Sequence, residues 1–177
     1  MAGQDREFTM RFLAGAADRN VYGNVHGGSM MKWMDEAAYA CAAGWSGLPC
    51  VTISVSGITF HKPVAVGHIV ELRATLVHTT RSTMHVAVNV SSRDPRHGQY
   101  EQTTSCLMVF VALDQDGRPT AIPAWQPGTP EDQALQQNAV RLMELGRGIQ
   151  AELRRFQGTE PPVAQDPDST EQRRPGA

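Results

Sequence analysis

The sequence predicts an α+β fold in which one long helix is enclosed by an antiparallel sheet. Three observations lead there. "GSMMKWMDEAAYACAAGW", residues 28–45, sets apolar side chains at helical spacing. Downstream, four segments alternate apolar and polar residues at the period of a strand, separated by short turns. Strands joined by such short turns pair antiparallel, because a parallel pair needs a crossover of about a dozen residues or more. One helix cannot cover both faces of that sheet, so the simplest packing wraps the sheet around the helix.

In chain order, "EFTMRFL" (residues 7–13) alternates and reads as a first strand. A Gly-rich segment and the Met/Ala helix follow. "VTISVSGITF" (51–60) puts Val51, Ile53 and Val55 on one face, and the apolar phase shifts to Ile58 and Phe60 after Gly57, which predicts a β-bulge. Val70, Leu72, Ala74 and Leu76 alternate next, then Met84, Val86, Val88 and Val90, then a long strand from about Tyr100 to Leu113. These four segments read as a meander whose last strands leave an edge for a second copy to cover. After Pro127, Thr129 is an N-cap, Pro130 suits the first helical position, and Glu131 with Asp132 suit the positive helix end. Leu135, Ala139, Leu142, Ile149, Leu153 and Phe156 recur on one face of that helix. The predicted organisation is a main domain over 1–125, a helical extension over 126–156 and a disordered tail over 157–177, where "GTEPPVAQDPDSTEQRRPGA" offers little to bury. Stopping the chain after Pro127 is expected to leave a folded, oligomeric core.

The 177 residues suffice for one domain with a real core. With 16 basic against 18 acidic residues and net charge -2, no broad nucleic-acid-binding surface is expected. No apolar run reaches the roughly 20 residues of a membrane span. The first residues lack the apolar core of a secretory signal. Cys41, Cys50 and Cys106 are too few and too scattered for a disulfide framework or a zinc site. They read as reduced, buried thiols of a cytoplasmic protein, and nothing calls for a metal or a cofactor.

Asp35 is the residue that asks for an explanation. On a wheel at about 100° per residue, Met30, Met34, Ala37, Ala38, Cys41 and Trp45 form one stripe, with Lys32 and Glu36 opposite as a solvent-facing pair. Asp35 falls at the edge of the stripe. A carboxylate there loses hydration and suits general-base or nucleophile work, or is a boundary residue held by a nearby donor. Gly27 and Gly28 stand where the helix begins, its first amides lack internal partners, and glycine lets a carbonyl approach them: an oxyanion hole in prospect. His26 either polarises a substrate or holds the loop through a backbone hydrogen bond. Lys62 and Arg81 either meet phosphates or are solvated turn residues. No Gly-x-Ser-x-Gly elbow is present.

"NVYGNVHGGSMMKWMDEA" (20–37), "VTISVSGITFHKPVAVG" (51–67) and "FVALDQDGRPTAIP" (110–123), in that order, resemble the acyl-CoA thioesterases of the hot-dog fold, in particular the cytosolic acyl-CoA hydrolases and their short bacterial relatives. The resemblance implies a hot-dog fold over about residues 7–125. It implies chains paired as homodimers, often three pairs per hexamer, that hydrolyse fatty acyl-CoA without a metal. By position it makes Asp35 the catalytic acid, Asn24 the loop asparagine, Gly27 and Gly28 the polarising amides, and Arg81, Ser82 and Thr83 a turn that touches the CoA nucleotide. The chain departs from the family pattern at Ser56, His68, Thr80 and Thr120. Asn24 and Asp35 would be roughly 16 Å apart if the whole stretch were helical, so a site using both is expected to straddle two chains. The alternatives are a non-catalytic acyl-CoA-binding module of the same fold and a 3-hydroxyacyl thioester dehydratase using His26 with Asp35.

Overall fold

The computed structural model describes residues 5–96 and 98–157. Its elements are β1 (Glu7–Leu13), a short 3-10 turn (Ala16–Asp18), α1 (Gly27–Ser46), β2 (Cys50–Phe60), β3 (Ile69–Thr79), β4 (Thr83–Arg93), β5 (Glu101–Ala112) and α2 (Pro130–Phe156). Of the tail expected to be disordered, all but Gln157 lies outside the described residues.

The five strands form one antiparallel sheet in the order β1-β3-β4-β5-β2. This corrects the expected four-strand meander: β3, β4 and β5 follow one another, but β2 pairs with β5 at the far edge. The cause is the segment after β2, which is too long for a tight hairpin and bonds elsewhere. Val25 donates its amide to the Val64 carbonyl (2.7 Å), and Gly67 and Ala14 exchange amides with Ala14 and His68 carbonyls (2.9 Å each). Asn24 bridges to Ala65. The crossover therefore lays residues 62–65 beside the loop that begins α1. It also corrects the expected edge. β5 is internal, and the edge strands are β1 and β2, the latter carrying exposed Val51, Ile53, Val55 and Phe60.

α1 packs on one sheet face and touches all five strands. Met30, Met34, Ala37, Ala38, Cys41 and Trp45 are buried, as the wheel predicts, and so is Ala42. The alanines let the helix sit close to Val70, Leu72, Val86, Val88 and Phe110, all fully buried. Gly47 ends the helix in the left-handed conformation, its amide on the Ala43 carbonyl. The bulge is where the sequence puts it: Gly57 has φ +66, and the β2–β5 register shifts between Ser56 and Thr59.

The chain divides into one unit up to Met143 and a second from Glu144. Within the first, α2 begins as expected, with the Asp132 amide on Thr129 Oγ1 (3.1 Å). Arg6 pairs with Asp132 at 2.5 Å. Ala139 is buried against Val77 and Leu107 on the sheet face opposite α1. Within the second unit, Leu145, Ile149, Leu153 and Phe156 are exposed. Stopping the chain after Met143 is expected to change unfolding free energy by less than about 0.5 kcal/mol. Stopping it after Pro127 should cost about 2–4 kcal/mol, because Val77 and Leu107 lose their cover. Denaturant unfolding at one fixed protomer concentration checks this. Equal stability of the two truncations would show that the first half of α2 adds nothing to the core.

Candidate active site

The loop before α1 is folded on itself. Asn20 Oδ1 accepts from the amides of Tyr22 (2.9 Å) and Asn24 (3.1 Å), the Asn20 amide returns to the Asn24 carbonyl (2.7 Å), and Gly23 takes φ +88. His26 is the N-cap of α1: its Nδ1 accepts from the Gly28 amide at 2.9 Å. A Cβ on Gly28 would lie 3.1 Å from that nitrogen, so the cap explains the glycine. His26 thus makes the loop-holding hydrogen bond, and the Gly28 amide is engaged by it. The Gly27 amide, at the first helical position, has no such acceptor among the described residues. His26→Ala is expected to cost about 1 kcal/mol of stability, with His26→Asn retaining most of it. Unfolding curves in which the Ala and Asn variants coincide would deny the cap its importance.

Asn20, Asn24, Gly27, Met30, Phe60, Lys62 and Thr104 line one cavity of about 320 Å³. The Lys62 ammonium at its rim already pairs with Glu101 at 2.7 Å. Asp35 lines a different cleft, of about 300 Å³, with Met31, Met34, Val55, Ile58, Cys106 and Met108. Its surroundings are mainly apolar. Thr52 Oγ1 donates to Asp35 Oδ1 at 2.6 Å. Burial pushes the neighbouring Cys106 thiol up to about 12, and that of Cys41 likewise, so neither is a thiolate nucleophile near neutral pH. Lys32 and Glu36 face solvent 3.6 Å apart, as predicted.

Neither cavity contains both Asn24 and Asp35. Arg81, Ser82 and Thr83 line neither of them. They form a tight turn in which Thr80 and Thr83 hydroxyls bond at 2.7 Å, and the Ser82 and Arg81 carbonyls accept from the amides of Ala112 and Ile122. Thr80, one of the departures from the resembled pattern, has no left-handed backbone and bonds across the turn with its side chain.

Sequence reasoning missed Thr52. Simple alternation puts it on the polar side of β2, but the register shifts between Thr52 and Ser54, so Thr52 pairs with Phe110 and Val55 with Met108, both core residues facing α1. No pattern in one sequence reveals that second irregularity. Asn20 was also missed as a cavity residue, although the quoted loop motif begins with it.

The site region thus presents a carboxylate at an apolar cleft, accepting from one hydroxyl, and, at a separate loop cavity, a helix-start amide with no acceptor among the described residues. A model of the thioesterase superfamily matches residues 22–98. The chain belongs to the thioesterase superfamily, and the sheet wrapped on α1 is its hot-dog fold. It is 35% identical over 123 residues to the acyl-CoA thioester hydrolase YciA of Salmonella typhimurium, covering 66% of this chain and 90% of that one. It is 30% identical over 154 residues to the cytosolic acyl coenzyme A thioester hydrolase of Rattus norvegicus, covering 84% of this chain but 38% of that longer protein. A solved hexameric acyl-CoA thioesterase superposes with a TM-score of 0.79 at 30% identity, over 86% of this chain and 97% of that one.

Proposed function

We propose that the chain is an acyl-CoA thioesterase that hydrolyses fatty acyl-CoA to the free acid and CoA in the cytoplasm. The observation that supports this most is Asp35: a carboxylate on the core helix, at the wall of an apolar cleft suited to an acyl chain, with Thr52 fixing one oxygen. Asp35 takes a proton from water as the water oxygen attacks the thioester carbonyl carbon, or attacks directly to give an anhydride that water opens. The carbonyl oxygen gathers charge against the Gly27 amide at the positive end of α1. Collapse breaks the C–S bond: after water attack the CoA thiolate takes the proton held by Asp35, and after direct attack it leaves as the thiolate and is protonated by the water that opens the anhydride. Asn24 and Asn20 present side chains to the carbonyl end of the site, Lys62 and Arg81 meet phosphates, and Ser82 and Thr83 border the nucleotide.

The working unit is a homodimer in which Asn24 and Gly27 of one chain meet Asp35 of the other, three such pairs making a hexamer. The edge strand β2 supports the pairing: Ile53 is 54% exposed and Phe60 52%, an apolar edge that a second copy would cover. The dehydratase reading needs a His26–Asp35 pair, and within one chain His26 is engaged by Gly28 while Asp35 bonds Thr52.

The test is thiol release across an acyl-CoA length series. Turnover that rises with chain length and then falls is expected. Binding of every acyl-CoA with no thiol released would make the protein a binding module.

A further inference from the structure

Thr103 and Thr104 are adjacent on β5 and each is 1% exposed, but their hydroxyls differ. Thr103 Oγ1 donates to the Val90 carbonyl at 3.2 Å. Thr104 Oγ1 has no hydrogen-bond partner among the described residues. A buried hydroxyl left unpaired is costly, and native structures have few of them. Thr104 sits across from Phe60 of β2 in the sheet register, and it lines the loop cavity together with Gly27, Asn24 and Met30. Phe60 in turn reaches the start of α1, its Cζ 3.7 Å from where a Gly27 Cβ would be. Thr104, with its unpaired hydroxyl, and Gly27, with its unpaired helix-start amide, thus line the same cavity.

An oxyanion formed by attack on a thioester is held best by more than one donor aimed at it. The two glycine amides looked sufficient from the sequence. The His26 cap takes one of them, leaving the Gly27 amide of that pair. We propose that the Thr104 hydroxyl is the second donor: it binds the thioester carbonyl oxygen opposite the Gly27 amide and strengthens that bond as charge develops. Resting on the thioesterase reading above, this adds a substrate-contacting residue from the sheet to a site otherwise built from α1 and its loop. It also explains why a hydroxyl is kept at a position where valine would fill the same space without an unpaired polar atom.

The experiment compares Thr104→Val, Thr104→Ser and Thr103→Val by thiol release and thermal unfolding. Removing a hydroxyl that bonds only to substrate leaves the fold intact, so Thr104→Val should melt no lower than wild type, while its kcat falls about 100-fold and KM changes less than about threefold. Thr104→Ser should keep kcat within about threefold, since it retains the donor. Thr103→Val should melt lower and turn over normally, because its hydroxyl serves the sheet. A kcat near wild type in Thr104→Val, or a kcat loss accompanied by a lowered melting temperature like that of Thr103→Val, would overturn the assignment. Wild-type protein that releases no thiol would overturn the thioesterase reading and this one together, whereas active wild type with an indifferent Thr104→Val overturns this one alone.

Discussion

Asp35→Asn is expected to keep the fold and lose turnover by about a thousandfold, the size of effect that removing a positioned general base produces. Glu36→Gln, one residue along the same helix, is expected to change it less than about twofold. The contrast follows from where α1 points each side chain. Asp35 stands at an apolar cleft and accepts from Thr52 at 2.6 Å. Asparagine is nearly isosteric and can still accept from Thr52 through its carbonyl oxygen, so folding is preserved while the base is lost. Glu36 faces water with Lys32 at 3.6 Å, an exposed pair of the kind worth about 0–1 kcal/mol. Steady-state thiol release, with circular dichroism to check folding, decides it. Equal losses in the two variants, or full activity in Asp35→Asn, would remove Asp35 from the mechanism.

What the sequence made legible was local and periodic. The buried stripe of α1, the position of Asp35 at its edge, the Gly57 bulge and the Thr129 cap are each written in residues a few places apart. What it hid was non-local. The partner of β2 is decided by hydrogen bonds between residues 64–68 and the segments before and at the start of α1, contacts about 40 to 50 residues apart in sequence. The same blind spot concealed Thr52 and Thr104. Thr52 meets Asp35 only because β2 carries a second irregularity, and Thr104 becomes informative only when its neighbour Thr103 is seen to have a partner and it does not. The engagement of the Gly28 amide has a shorter-range cause: the same motif supplies a histidine two residues earlier whose ring nitrogen accepts from that amide.

The largest expected recovery of activity concerns two chains at once. Asn24 lines the loop cavity and Asp35 lines the cleft along α1, and neither cavity holds both. If the working site needs both, one chain does not supply it, and a second copy docked along the exposed β2 edge is the means at hand. The test is complementation between two inactive proteins. One carries Asp35→Asn. The other carries Asn24→Ala, since Asn24 borders the loop cavity, and full activity of that homodimer would already remove Asn24 from the site. Each homodimer has two defective sites. After dissociation and reassociation about half the dimers are mixed, and each mixed dimer holds one site with both residues intact and one with neither. Activity should therefore return to about a quarter of wild type. That recovery should scale with the fraction of mixed dimers measured by mass spectrometry, and a covalently linked mixed dimer should reach about half. Continued inactivity with mixed dimers present in the expected proportion would place both residues in one chain's site. It would then assign the apolar β2 edge to assembly alone, with no part in forming the reaction centre.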